Sequence, residues 1–166
     1  MAKFVEALQL LARARVDAIL VGMLSAAMRG APVTTFDIDI VHRRTPENVD
    51  RLLGVLLSID AVHRGDPRKL APAAERLLGP GQQLFSTRLG DIDCLGALHD
   101  GETYDDLLPA SDALPLGDGL SLQVVRLEKL ISIKRAAARP KDLAALPLLE
   151  ETLRISGCAL AQHPRE

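Results

Sequence analysis

The chain has 166 residues and a formal net charge of −2, from 20 basic and 22 acidic side chains. No bulk field therefore draws it to nucleic acid or an anionic membrane, and with aromatics at 2% and no Trp, base stacking is a poor basis for recognition. Two cysteines, Cys94 and Cys158, make neither a disulfide framework nor a zinc set, and no apolar run reaches the ~20 residues of a membrane span. The length suits one domain with a sizeable core, read here as 1–156 with a loose tail over 157–166.

Residues 3–15 place Phe4, Val5, Leu8, Leu11 and Ala12 at helical spacing, so the N-terminus reads as an amphipathic helix and not a secretory signal. A reducing, cytoplasmic setting is the expectation. Residues 16–22 form an apolar run that ends in Gly22 and predicts a strand. Residues 23–30 are helix-prone and stop at Gly30, with Pro32 beyond. About residues 35–41, Phe36, Ile38 and Ile40 alternate with Asp37 and Asp39. A strand there turns both carboxylates to one face, with their Cα atoms about 6.5–7 Å apart. Thr45 as N-cap and Pro46 at the first helical position open the clearest helix of the chain.

Residues 60–82 are rich in Gly, Pro and basic side chains and predict a long loop with a short helix near 71–78. Residues 83–98 predict two strands that meet near Leu89 and Gly90. Residues 104–111 make a short helix or turn. Residues 113–125 carry two apolar runs around Gly117-Asp118-Gly119, a hairpin signature. A helix follows over 126–138 and is stopped or kinked at Pro140. The last helix, 141–156, is expected to be interrupted at Pro147. Strands that alternate early with helices, then a hairpin and terminal helices, imply an α+β fold: a mixed sheet with helices packed mainly on one face.

Asp37 and Asp39 raise the chemical question. Two like charges on one strand face repel unless a cation lies between them, so the face is either wet and acidic or a divalent-metal site. The order around it is informative: strand, Gly22, short helix, Thr35-Phe36-Asp37-Ile38-Asp39, and much later Gly90-Asp91-Ile92-Asp93. This order resembles the nucleotidyltransferase superfamily with a DNA polymerase β-like palm, in particular its minimal bacterial branch, which includes toxin–antitoxin members. The resemblance spans about residues 16–150.

The resemblance implies Asp37, Asp39 and Asp93 as catalytic carboxylates that hold Mg2+. Asp91 is the competing candidate and is expected on the opposite strand face. It implies Gly22, Met23, Ser25 and Lys134 around a nucleoside triphosphate, and a match of Arg139, Lys141 and Asp142 to positions in the C-terminal helix pair. Read on their own, those three residues form a helix-start cluster around Pro140, and Lys134 suits a solvated basic face equally well. Two metals ~3.5–4 Å apart stabilise attacking and leaving oxygens together, and hard cations want carboxylate oxygen. The sequence departs from the family pattern at Met23, where a small residue is usual, and at Val33, where Arg is common. Arg43 and Arg44 are candidates to replace that charge.

The implied function is magnesium-dependent transfer of a nucleoside monophosphate from a nucleoside triphosphate to a hydroxyl of a protein, an RNA end or a small molecule. The alternative is a non-catalytic palm, a binding or antitoxin-like protein with a toxin–antitoxin partner. The basic 60–82 segment, with His63, Arg64, Arg68 and Lys69, is expected to reach over the cleft. His42, His63, His99 and His163 have no metal-ligand spacing and are expected at the surface. Cys94 is expected to be a small buried hydrophobe. An EF-hand is excluded, because Asp37-Ile38-Asp39-Ile40 lacks the loop glycine.

Overall fold

The computed structural model describes residues 2–162. In chain order it contains α1 (Ala2–Arg13), β1 (Ala18–Val21), α2 (Gly22–Met28), β2 (Asp37–His42), α3 (Pro46–Ser58), β3 (Val62–His63), α4 (Ala74–Leu77), β4 (Gln82–Thr87) and β5 (Gly90–Leu95). Then come α5 (Tyr104–Leu107), a 3-10 turn over Leu108–Ala110, β6 (Ser111–Gly117), β7 (Leu120–Val125), α6 (Leu127–Ala137) and α7 (Pro140–Gln162). The architecture is α+β, with one seven-stranded mixed sheet in the order β3-β4-β5-β2-β1-β7-β6. The β2–β5 and β1–β7 pairs are parallel and the others antiparallel.

Strand alternation builds two cores, one on each side of the sheet. Leu20, Ile38, Ile40, Phe85, Ile92 and Cys94 face α1, α3 and α4. Ile19, Val21, Val41 and Val125 turn the other way, against Tyr104, Leu130, Ile131 and Leu149 of α5, α6 and α7. This second core includes no residue of β3 or β4, and Leu84 stays exposed there. One face is thus covered from β4 to β6, and the other over β1, β7 and the C-terminal ends of β2 and β5, where Val41 and Leu95 join the second core. The uncovered half begins at β2 and β5, the strands that carry the carboxylates.

Several local expectations change in three dimensions. Phe36 lies outside β2 and is 83% exposed, because the strand begins only at Asp37. Thr45 is the N-cap residue of α3, but its side chain makes no capping bond. The 60–82 segment contributes β3, whose two residues pair with Phe85 and Ser86. Pro140 starts α7, because the turn is made earlier, by the left-handed Ala138. Pro147 lies inside a continuous helix. The helix loses one N–H bond there, but Leu149 and Thr152 are buried beyond it and hold the chain on course.

The tail expected from 157 is helical as far as Gln162, since Ala and Leu after Gly157 favour a helix; 163–166 lie outside the described residues. His42 is buried, not at the surface: its Nε2 lies 2.7 Å from the Leu77 carbonyl, tying β2 to α4. His63 is half-buried against Phe85, ring centroids 4.8 Å apart, and His99 is exposed. His163 is outside the described residues. Cys94 is fully buried, and burial pushes its thiol pKa up. Among the described residues, no helix is long and apolar enough to cross a membrane.

Candidate active site

The parallel register of β2 and β5 pairs Asp37 with Asp91 and Asp39 with Asp93. Residues two apart on a strand share a face. All four aspartates therefore lie on the uncovered face, and Asp91 is not turned away from Asp93 as the sequence reading expected. Arg64 demonstrates it: its guanidinium lies 3.0 Å from Asp91 and 2.5 Å from Asp93. Asp37, Asp39 and Asp93 each offer a carboxylate oxygen, and these oxygens lie within 4.8 Å of one another.

Gly22 stands at the end of β1, beside the Asp39 partner position. Its φ is +68°, and a Cβ there would overlap the Asp39 Oδ2. The glycine gives the chain its sharp entry into α2 and leaves space for the carboxylate. Thr35 orients the other acid: its hydroxyl donates to Asp37 Oδ1 at 3.3 Å and to the Asp37 carbonyl at 3.2 Å.

The carboxylates form one wall of a cleft of about 620 Å³. Gly22 and Met23 line it next to them, and Leu98, Leu130 and Ile133 make an apolar side. Lys134, Arg139, Lys141 and Asp142 line it as well, and Lys134 and Lys141 are close enough to act on the Asp39 charge. Asp142 is buried and binds both cations that touch it: Lys134 Nζ donates at 3.0 Å and Arg139 Nε at 2.5 Å. Burial works against the charge of Asp142, but these donors hold it below the usual carboxylate range. The cluster near Pro140 is thus part of the cleft and not only a helix start. α6 and α7 pack side by side, which brings residues eight apart in sequence together.

The electrostatics single out Asp39. Burial, then the neighbouring Asp37 and Asp93, push its pKa up to about 7, against the pull of Lys134 and Lys141. Asp93 is also raised, chiefly by burial, with Arg64 opposing and Asp37 and Asp91 adding. Three oxygen donors crowded on a half-buried face, with unfavourable mutual repulsion, fit a hard divalent cation.

Not every expected residue reaches the cleft. Ser25 is fully buried and its hydroxyl donates to the Gly22 carbonyl at 2.6 Å, so it is spent within α2. Arg43 pairs with Asp17 and Asp105 and stacks on Tyr104, and it does not replace the missing cation at Val33. Arg44 does not line the cleft either. In the 60–82 segment, Pro80 and Gln82 line the cleft, whereas Arg68 is occupied by Asp66 at 2.9 Å. In the apolar side, Leu130 and Ile133 had only helical periodicity as a sequence signal, and Leu98, in the loop after β5, had none.

No family model matches the chain, and no curated protein sequence does. Among solved structures, it is similar to a crystal structure of a candidate nucleotidyltransferase from Thermotoga maritima, at 19% identity over 86% of each chain and with a TM-score of 0.55. Likeness at that identity establishes a shared fold: the chain has the α+β architecture of that protein.

Proposed function

We propose that this protein transfers a nucleoside monophosphate from a nucleoside triphosphate to a hydroxyl acceptor, with Mg2+ held by Asp37, Asp39 and Asp93. One observation carries the reading: three carboxylates from two paired strands meet beside Gly22 on a cleft that Lys134, Arg139 and Lys141 also line. A volume of about 620 Å³ is in the range of small-molecule sites. The shared fold with the Thermotoga protein supports the same reading.

When bound, the metal would neutralise phosphate charge and stabilise the attacking and leaving oxygens. The protein's own residues do the rest. Lys134 and Lys141 attract the polyphosphate, and Asp142 fixes the direction of the Lys134 ammonium. Leu98 and Ile133 give the nucleoside an apolar surface, which carries no preference among bases. In the transfer, the acceptor oxygen bonds to the α-phosphorus and the bond to the bridging oxygen breaks. Pyrophosphate leaves, and the acceptor proton passes to solvent. A protein, an RNA end or a small molecule can supply the hydroxyl. A cytoplasmic setting would supply both triphosphate and magnesium.

Calorimetric titration with ATP, CTP, GTP and UTP in the presence of Mg2+ tests the reading. At least one is expected to bind, and binding is expected to be lost in Asp37→Asn with Asp39→Asn. If none binds, the reading is wrong. A second reading, a non-catalytic palm acting as an antitoxin-like binding partner, is favoured by Met23, which lines the cleft beside Gly22. It predicts cation binding without nucleotide binding. Met23→Ser would then raise nucleotide affinity a few-fold only if bulk at that position is what blocks the triphosphate.

A further inference from the structure

Arg64 follows β3 at the edge of the sheet, and its N–H donates to the Leu84 carbonyl at 2.9 Å. It thereby extends a register row that runs Asp39, Asp93, Leu84 across β2, β5 and β4. Its side chain extends inward over the open face. There it meets Asp91 at 3.0 Å and Asp93 at 2.5 Å, and donates to the Phe85 carbonyl at 3.3 Å. The Asp93 side chain is 9% exposed and Arg64's own 29%, so water screens this pair only partly. Arg64 lines a neighbouring depression with His63, Asp66, Arg68 and Arg76, and it meets the cleft through Asp93, which lines it.

We propose that Arg64 is a resident counter-ion for the site: it neutralises Asp93 in the metal-free protein and competes with the divalent cation for that carboxylate. The inference rests on the metal reading above. Without a cation, the face carries four aspartates, and Arg64 is the only arginine or lysine in ion-pair contact with any of them among the described residues. A cation that enters between Asp37, Asp39 and Asp93 takes over the charge compensation that Arg64 supplies. Asp91 retains the guanidinium when Asp93 releases it, so the exchange needs no movement of β3. The fold thus holds the acidic strands together without metal, and sets metal affinity lower than three free carboxylates would.

Calorimetric titration of Mn2+ into the whole protein, with melting curves in its absence, tests this without any assay of activity. Arg64→Gln is expected to bind Mn2+ at least about fivefold more tightly than wild type, the scale of one lost partly buried competitor. It is also expected to melt lower without metal. Arg68→Gln removes a nearby exposed charge that touches neither aspartate, and is expected to bind like wild type. If Arg64→Gln binds Mn2+ equally or more weakly while wild type binds, Arg64 is not a competitor, and the metal reading stands. If Arg64→Gln and Arg68→Gln tighten binding alike, the effect is general charge and the inference also fails. If neither wild type nor Arg64→Gln binds Mn2+, the inference and the metal reading fail together.

Discussion

The two ends of β2 both gather carboxylates around an arginine, and they do so to opposite effect. Beyond the C-terminal end, Arg43 lies 3.0 Å from Asp17 and 2.7 Å from Asp105, over the Tyr104 ring. Asn48 ties the corner together: its side chain accepts from the Asp17 N–H at 2.7 Å and donates to the Asp17 and Arg43 carbonyls. Of the acids there Asp105 is well exposed and Asp17 half-buried, and each has a cation in contact. At the N-terminal end, Asp37 and Asp39 have no ion pair among the described residues, and Arg64 reaches only the β5 aspartates. Exposed acids with partners are cheap to maintain in water. Half-buried acids that repel one another cost folding energy, which persists where a ligand repays it. Charge count alone does not separate the two corners; compensation and burial do.

The sharpest way to break the acidic corner is Gly22→Ala. The new Cβ would overlap Asp39 Oδ2 and sit on a backbone with φ +68°. Left-handed strain costs about 1–3 kcal/mol before the overlap is counted. Melting temperature and Mn2+ affinity are both expected to fall steeply. Unchanged Mn2+ binding would mean that Asp39 is not a ligand.

Asp39→Asn is expected to act in the other direction on stability. The folded pKa of Asp39 is about 7 and its ordinary value 3.8. The folded protein therefore keeps a proton that the unfolded chain releases, and stability falls as pH rises from about 4 to 7. Asp39→Asn should flatten that slope and stabilise the metal-free protein at pH 8 by on the order of 2 kcal/mol, allowing for partial exposure. Metal affinity in wild type should rise with pH over the same window, because the cation displaces the proton. Urea melts from pH 4 to 8, with and without Mn2+, read both effects. A slope that survives in Asp39→Asn would assign the titration elsewhere.

The smallest effect belongs to the balanced corner. Asp105→Asn removes one exposed ion pair, worth less than about 1 kcal/mol. It should leave Mn2+ affinity and the pH profile untouched. A change in metal binding there would mean that the two ends of β2 are coupled, and the contrast between them would not hold.

Local pattern made much of this legible in the linear chain. The alternation Phe36-Asp37-Ile38-Asp39-Ile40 put the two acids on one face, because a strand has a period of two wherever it lies. Thr45-Pro46 marked the start of α3, and Gly117-Asp118-Gly119 marked a hairpin whose turn residues all have positive φ. The Gly22-to-Asp39 order carried the resemblance to the palm fold that the structural comparison then supported. Other features depended on pairing partners far away in sequence. The β2–β5 register decided that Asp91 and Asp93 share the acidic face, and the short β3 brought Arg64 onto both. The packing of α6 on α7 turned Lys134, Arg139 and Asp142 into a cleft wall, and the packing of α4 on β2 buried His42. Periodicity assigns a side chain to a face of its own element. Which element that face meets is set by contacts between residues well separated in sequence, 29 apart for Arg64 with Asp93 and 17 apart for Gly22 with Asp39. Those contacts decide whether a carboxylate is solvated, paired or crowded against other carboxylates.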